Sequence, residues 1–226
     1  MNKIKVIRDA VHVVPQVLPH LSDRARWTLY KPVEYKTFDY MLKQIEGLVK
    51  GVYSGNVGGQ FVDSMANLIS GQLTQAYQQA YEDEGYEGEL PEYLTASLEA
   101  MILGQYDFVD QYYRDIVDAR VDGTPIDPLL SRAQMWANQW NTAYNEAIRL
   151  ITLENGGNLI WQIGDAEHCT TCLALDGIIA SAVEWEASGW KPQSEYLECH
   201  GFNCKCSLSP TSNRRSKNAA ERLAAI

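Results

Sequence analysis

The chain has 226 residues, 46% of them apolar or aromatic, and a formal charge of −10. That length and apolar share suffice for one large domain, or a domain with an appendage, burying a real core without staples throughout. The acidic balance repels nucleic-acid phosphates and anionic lipid surfaces, which makes non-specific DNA binding and membrane-surface docking poor first readings.

The amino end, "MNKIKVIRDAVHVVPQVLPHL", has early positive charges but no unbroken apolar run and no small-residue cleavage site, so it does not read as a signal peptide. No later run approaches the roughly 18 apolar residues of a spanning helix, and the expectation is a chain that is cytosolic at synthesis. Residues 1–33 carry Pro15, Pro19 and Pro32 without a clean period and predict an extended arm. From Lys36 the pattern turns helical. Phe38, Met41, Leu42, Ile45, Leu48, Val49 and Val52 form one apolar stripe, closed by Gly55 and Gly58–Gly59.

A second stripe runs through Phe61, Met65, Leu68, Ile69, Leu73, Ala76, Tyr77 and Ala80 and ends in the acidic loop "EDEGYEGE". Pro91 suits a first helical turn, and Leu94, Leu98, Met101, Ile102, Val109, Tyr112, Ile116 and Val117 continue from it, with Gly104 as the expected bend or break. After "VDGTPIDP" comes a fourth stripe through Leu129, Ala133, Trp136, Ala137, Trp140, Ala143, Tyr144, Ala147, Ile148 and Ile151. Its bulky rings set among alanines predict close helix packing. "NLIWQIG" then breaks the period and predicts a short strand.

All five cysteines follow that strand, at Cys169, Cys172, Cys199, Cys204 and Cys206. A disulfide framework would scatter them; this placement reads as one local device. A two-residue spacer lets one turn aim Cys169 and Cys172 at a single cation, and "ECHGFNCKC" supplies the rest, which predicts a structural zinc site. The ranking of ligands is Cys169, Cys172, Cys199 and Cys204, then Cys206, with His200 or His168 as substitutes. Free thiols, oxidised pairs and a redox CxxC are the competing readings.

No H-x-E precedes the cysteine pair and no H-E-x-x-H occurs, so the deaminase and zincin patterns are missing. A surplus of thiolates favours a closed, non-catalytic site. The insert 173–198 is acidic, unlike a nucleic-acid-reading finger, and leaves only Lys205 and the tail cations Arg214, Arg215, Lys217 and Arg222 for phosphate. Trp185, Trp190 and Tyr196 lie between the ligand pairs, where a small module is expected to leave at least one exposed for a partner.

"DAEHCTTCLALDG", "EWEASGWKPQS" and "LECHGFNCKCSLSP" together resemble the carboxy-terminal signature of tailed-bacteriophage minor head proteins, the Mu F-like head morphogenesis family. The shared pattern is D-x-x-x-C-x-x-C-x-x-L-x-G, then W-x-x-x-G-x-x-P, then C-x-x-x-N-C-x-C, across about residues 161–210. Upstream, "RAQMWANQWNTAYNEAIRL" matches only in organisation, as the long helix before the signature. Many family members place histidine, proline and asparagine before the last cysteines; here Cys199 and His200 stand ahead of "GFNC", which leaves the completing ligand open.

The resemblance implies a virion protein made in the host bacterial cytoplasm, a minor capsid protein acting with the major capsid or portal protein in head assembly, and not an enzyme. Two alternatives stand beside it: a phage-borne nuclease or toxin-like enzyme domain, and a DNA-contacting packaging accessory working through the basic tail. The expected architecture is mainly α: an arm over 1–33, a helical domain over 34–155, a small β-containing zinc module over 156–210, and a basic tail over 211–226.

Overall fold

A computed structural model describes residues 38–56, 59–201 and 204–226; the arm expected over 1–33 lies outside the described residues, as do Gly58, Phe202 and Asn203. The described residues are mainly α, 62% helix, with a small three-stranded antiparallel sheet towards the carboxy end. Among the described residues no helix is long and apolar enough to cross a membrane.

Each predicted stripe becomes a helix. α1 spans Phe38–Tyr53 and buries Met41, Ile45, Val49 and Val52, one to two turns apart. α2 spans Phe61–Asp83, with Phe61, Met65, Ile69 and Leu73 buried. α3, Glu92–Tyr106, and α4, Val109–Asp122, divide the third stripe; α4 ends on Gly123 in the left-handed region. α5, Asp127–Glu154, carries the fourth. The break within the third stripe is not at Gly104, which stays helical; it falls at Asp107–Phe108, where Phe108 N–H reaches back only to the Gln105 carbonyl.

The chain divides into two compact units. The first comprises the described residues up to Gln78 together with Glu87–Trp140. Among the aliphatic side chains of its core sits a row of rings: Phe61 meets Tyr112 edge-on at 5.9 Å, and Tyr112 stacks on Trp136 at 6.3 Å. The Tyr112 hydroxyl donates to the Leu129 carbonyl at 2.6 Å, which satisfies the one polar atom that its burial would strand. The expected alignment of small residues holds here, since Ala133 and Ala137 are fully buried on the same face of α5.

The second unit comprises Gln79–Tyr86 and Asn141–Ile226, so the last turns of α5 and the tail fold with the cysteines. Its sheet has the order β2-β1-β3, from β1 (Asn158–Gln162), β2 (Ile179–Ser181) and β3 (Ser207–Thr211). β1 is central, with Leu159 opposite both Ala180 and Pro210. Proline lacks a ladder donor and is tolerated on β3 because that strand is at the margin. Three short helices complete the unit: α6 (Thr170–Leu175), α7 (Ala182–Ser188) and α8 (Ala219–Ala224).

Ser181 starts α7 through a capping box, its hydroxyl taking the Glu184 N–H while the Glu184 carboxylate takes that of Ser181. Arg149 of α5, its side chain only 5% exposed, is clamped between Glu146 and Glu186, and Lys191 stands 3.7 Å from Glu146. The tail is built into the unit as well. Ser216 N–H donates to the Ile179 carbonyl at 2.8 Å, Leu223 is buried, and Arg215 pairs with Glu184.

Candidate metal centre

β1 delivers the chain into a loop that ends at Cys169, the N-cap of α6. The Cys169 sulfur accepts the Cys172 N–H at 3.5 Å, the turn expected of a two-residue spacer, and α6 then buries Cys172 and Leu175. Gly164 lets this loop touch the last cysteines: a Cβ there would lie 2.2 Å from the Lys205 carbonyl oxygen. Thr170 of the first turn donates its N–H to the Glu198 carboxylate at 2.8 Å, and Glu198 donates its own N–H to the Thr171 hydroxyl at 3.4 Å. These two bonds bring Cys199 to the CxxC turn.

The five sulfurs converge. Cys169, Cys172 and Cys199 form one triad and Cys172, Cys204 and Cys206 a second, the sulfurs within each lying within 4.8 Å of one another. All five are free thiols, and Cys172, Cys204 and Cys206 are buried. Thiolates sharing a tetrahedral zinc at a bond length of about 2.3 Å stand about 3.8 Å apart, so these separations fit the group with small side-chain adjustments. Cysteines from two distant segments could thus hold a metal ion.

The thiols also share charge unequally. A hydrogen bond from Cys206, which outweighs burial and is helped by N–H groups of Cys206 and Gln193, draws the Cys204 thiol down to about 5. Burial works against the Cys169 thiolate, but N–H and thiol donors from Cys172 and Cys199 outweigh it and lower that thiol too. Cys206 is pushed up, first by its bond to Cys204 and then by burial; burial leads the rise at Cys172 and Cys199. A cation that displaces the remaining thiol protons would supply the counter-charge that such a cluster of thiolates needs.

The two candidate histidines differ. His168 lies at the site, its Nε2 2.8 Å from the Gly164 carbonyl and its Nδ1 3.9 Å from the Cys206 sulfur. His200 is exposed, belongs to neither triad, and turns its Nδ1 to the Glu195 carbonyl at 2.9 Å.

Two residues that the sequence did not single out hold the second cysteine pair in place. Gln193 donates from Nε2 to the carbonyls of Cys204 at 3.1 Å and Cys206 at 2.6 Å. Its Oε1 accepts from Asn145 of α5 at 3.0 Å, and Asn145 Oδ1 accepts the Leu208 N–H at 3.3 Å. Gln193 adopts a φ of 59°, and Gly201 at φ 75° presses so near it that a Cβ would lie 2.3 Å from the Gln193 carbonyl. The one sequence signal was position: Gln193 directly follows the signature proline, Pro192.

The three aromatic candidates separate. Trp185 corrects the expectation of exposure, for it is 1% exposed, packs on Trp161 at 5.8 Å, and donates its indole N–H to the Leu159 carbonyl at 3.0 Å. Trp190 is half-buried and donates to the Leu223 carbonyl at 3.0 Å, fastening α8. Tyr196 is 75% exposed.

Comparison of the chain with family models, with curated proteins and with solved structures finds no match. What is defined here is therefore a class by architecture: a mainly helical protein whose carboxy-terminal unit gathers a cysteine cluster able to bind metal.

Proposed function

We propose that this chain is a structural protein of a tailed-bacteriophage particle, a minor head or head-morphogenesis protein, whose carboxy-terminal module is tied by zinc and meets the major capsid or portal protein. The observation that carries the reading is that the separated pieces of the signature serve one small fold. Leu175 and Pro192 are buried, Trp185 fills the space beside Trp161, and Gly177 and Gly189 take φ values of 69° and 74° that side chains disfavour. The signature and the cysteine cluster are then the same object. Zinc suits it because the donors are thiolates brought together from two turns, and such a metal stabilises a compact end by roughly 10 kcal/mol or more.

Tyr196 is the partner anchor this structure favours, exposed on the segment between the two cysteine pairs. The packaging alternative has less to use, since Arg215 is engaged by Glu184. The test is made on the genome that encodes the chain. The protein should sediment with purified heads, and Tyr196→Ala should lower the yield of filled particles while the purified variant keeps the wild-type circular dichroism and metal content. Heads that lack the protein, with particle yield unchanged when its gene is deleted, would refute the reading.

A further inference from the structure

The two triads count against a single closed site. One tetrahedral ion needs four sulfurs that are all mutual neighbours and leaves the fifth thiol idle, whereas the sulfurs here are arranged three and three about a common member, Cys172. We propose that the module binds two soft divalent cations bridged by the Cys172 thiolate, one held by Cys169, Cys172 and Cys199, the other by Cys172, Cys204, Cys206 and the Nδ1 of His168.

His168 is prepared for that role by the hydrogen bond on its far side. A carbonyl oxygen can only accept, so the 2.8 Å contact with Gly164 puts the ring proton on Nε2. In the neutral ring Nδ1 then carries a lone pair, and it faces the Cys206 sulfur at 3.9 Å, close to the spacing of two ligands on one ion. The charge count agrees. Two dications against five thiolates leave one net negative charge; a lone dication on four thiolates would leave two, among sulfurs of which Cys172, Cys204 and Cys206 are buried. The two ions also differ in surroundings. Cys169 and Cys199 are half-buried, so the first ion keeps a coordination position open to solvent and exchanges faster.

This inference rests on the cysteine cluster being a metal site, as proposed above. The test loads the full chain anaerobically with zinc, or with cadmium, and reads ions per chain by native mass spectrometry and elemental analysis, with a count of thiols still reactive. Two ions per chain and no reactive thiol are expected. Cys199→Ser should retain one ion, and His168→Gln should leave the slowly exchanging ion at least tenfold easier to extract with a chelator. Cadmium NMR of the loaded wild-type chain should give two resonances, a readout that does not depend on any variant folding. Saturation at one ion with one thiol left reactive overturns the two-ion centre and leaves the metal reading intact. Two ions retained by Cys199→Ser overturns the ligand assignment, and no ion retained by the wild type overturns both readings.

Discussion

Trp161 and Trp185 touch, are both essentially fully buried, and differ in one atom's circumstances. The Trp185 indole N–H donates to Leu159, whereas Trp161 Nε1 is buried with no partner among the described residues. Replacing either ring by phenylalanine keeps most of the packing and costs about 1–2 kcal/mol, a fraction of the 3–5 typical of Trp→Ala. Trp185→Phe also takes the indole donor from the Leu159 carbonyl, adding about 0.5–1.5 kcal/mol. The Leu159 carbonyl keeps its ladder partner Ala180 on β2, so the loss is that of one hydrogen bond and not of a stranded acceptor. Trp161→Phe instead removes a donor whose burial already costs about 1–3 kcal/mol, so its packing loss is largely offset. Trp185→Phe should therefore be the more destabilising by about 2 kcal/mol or more. Urea unfolding followed by circular dichroism, at matched metal loading, measures the difference. Equal losses, or a greater loss for Trp161→Phe, would show that the polar accounting of this pair is mistaken.

Two further perturbations probe the supports of the site. Gly164→Ala would drive a methyl into the Lys205 backbone, costing about 1–3 kcal/mol, and should hasten extraction of metal by a chelator; unaltered extraction kinetics would mean that this contact does not position the cysteines. Arg149→Met takes the shared cation from Glu146 and Glu186 and should cost about 1–3 kcal/mol at neutral pH. Burial alone would raise the Glu146 carboxyl, but the hydrogen bond and charge of Arg149, with Lys191, hold it below its ordinary 4.5. A depressed carboxyl gives stability that is complete above its unfolded pKa and lost as pH falls through the folded one. The wild type should thus lose stability on acidification below about 4.5 more steeply than Arg149→Met, a slope that pH-dependent urea titration measures.

The helices were legible because their signal is a stripe, and a stripe is what packing buries: Met41, Ile45 and Val49 were readable one by one. The division between α3 and α4 was not. Phe108 and Asp107 keep right-handed helical φ and ψ, so the ladder stops through a tightened turn that needs no glycine or proline. At the site, the spacing of Cys169 and Cys172, with "ECHGFNCKC" some thirty residues behind, announced convergence, since ligand geometry is a local property of turns. Gln193 and Asn145 gave no such notice, because an amide becomes a clamp only when the fold brings carbonyls within its reach. Trp185 misled for the related reason that the depth of a tryptophan depends on its neighbours, here Trp161 on β1, more than twenty residues away in sequence.

The margins of the small sheet set how anything else can approach it. Outside β2, Ile179 has given both its carbonyl and its N–H to Ser216. Outside β3, the Leu208 N–H is taken by Asn145, and two residues on Pro210 has none to offer. An incoming extended segment finds no free run of donors on either flank and cannot enlarge the sheet by main-chain pairing. Recognition along these two flanks must therefore be read through side-chain shape and charge.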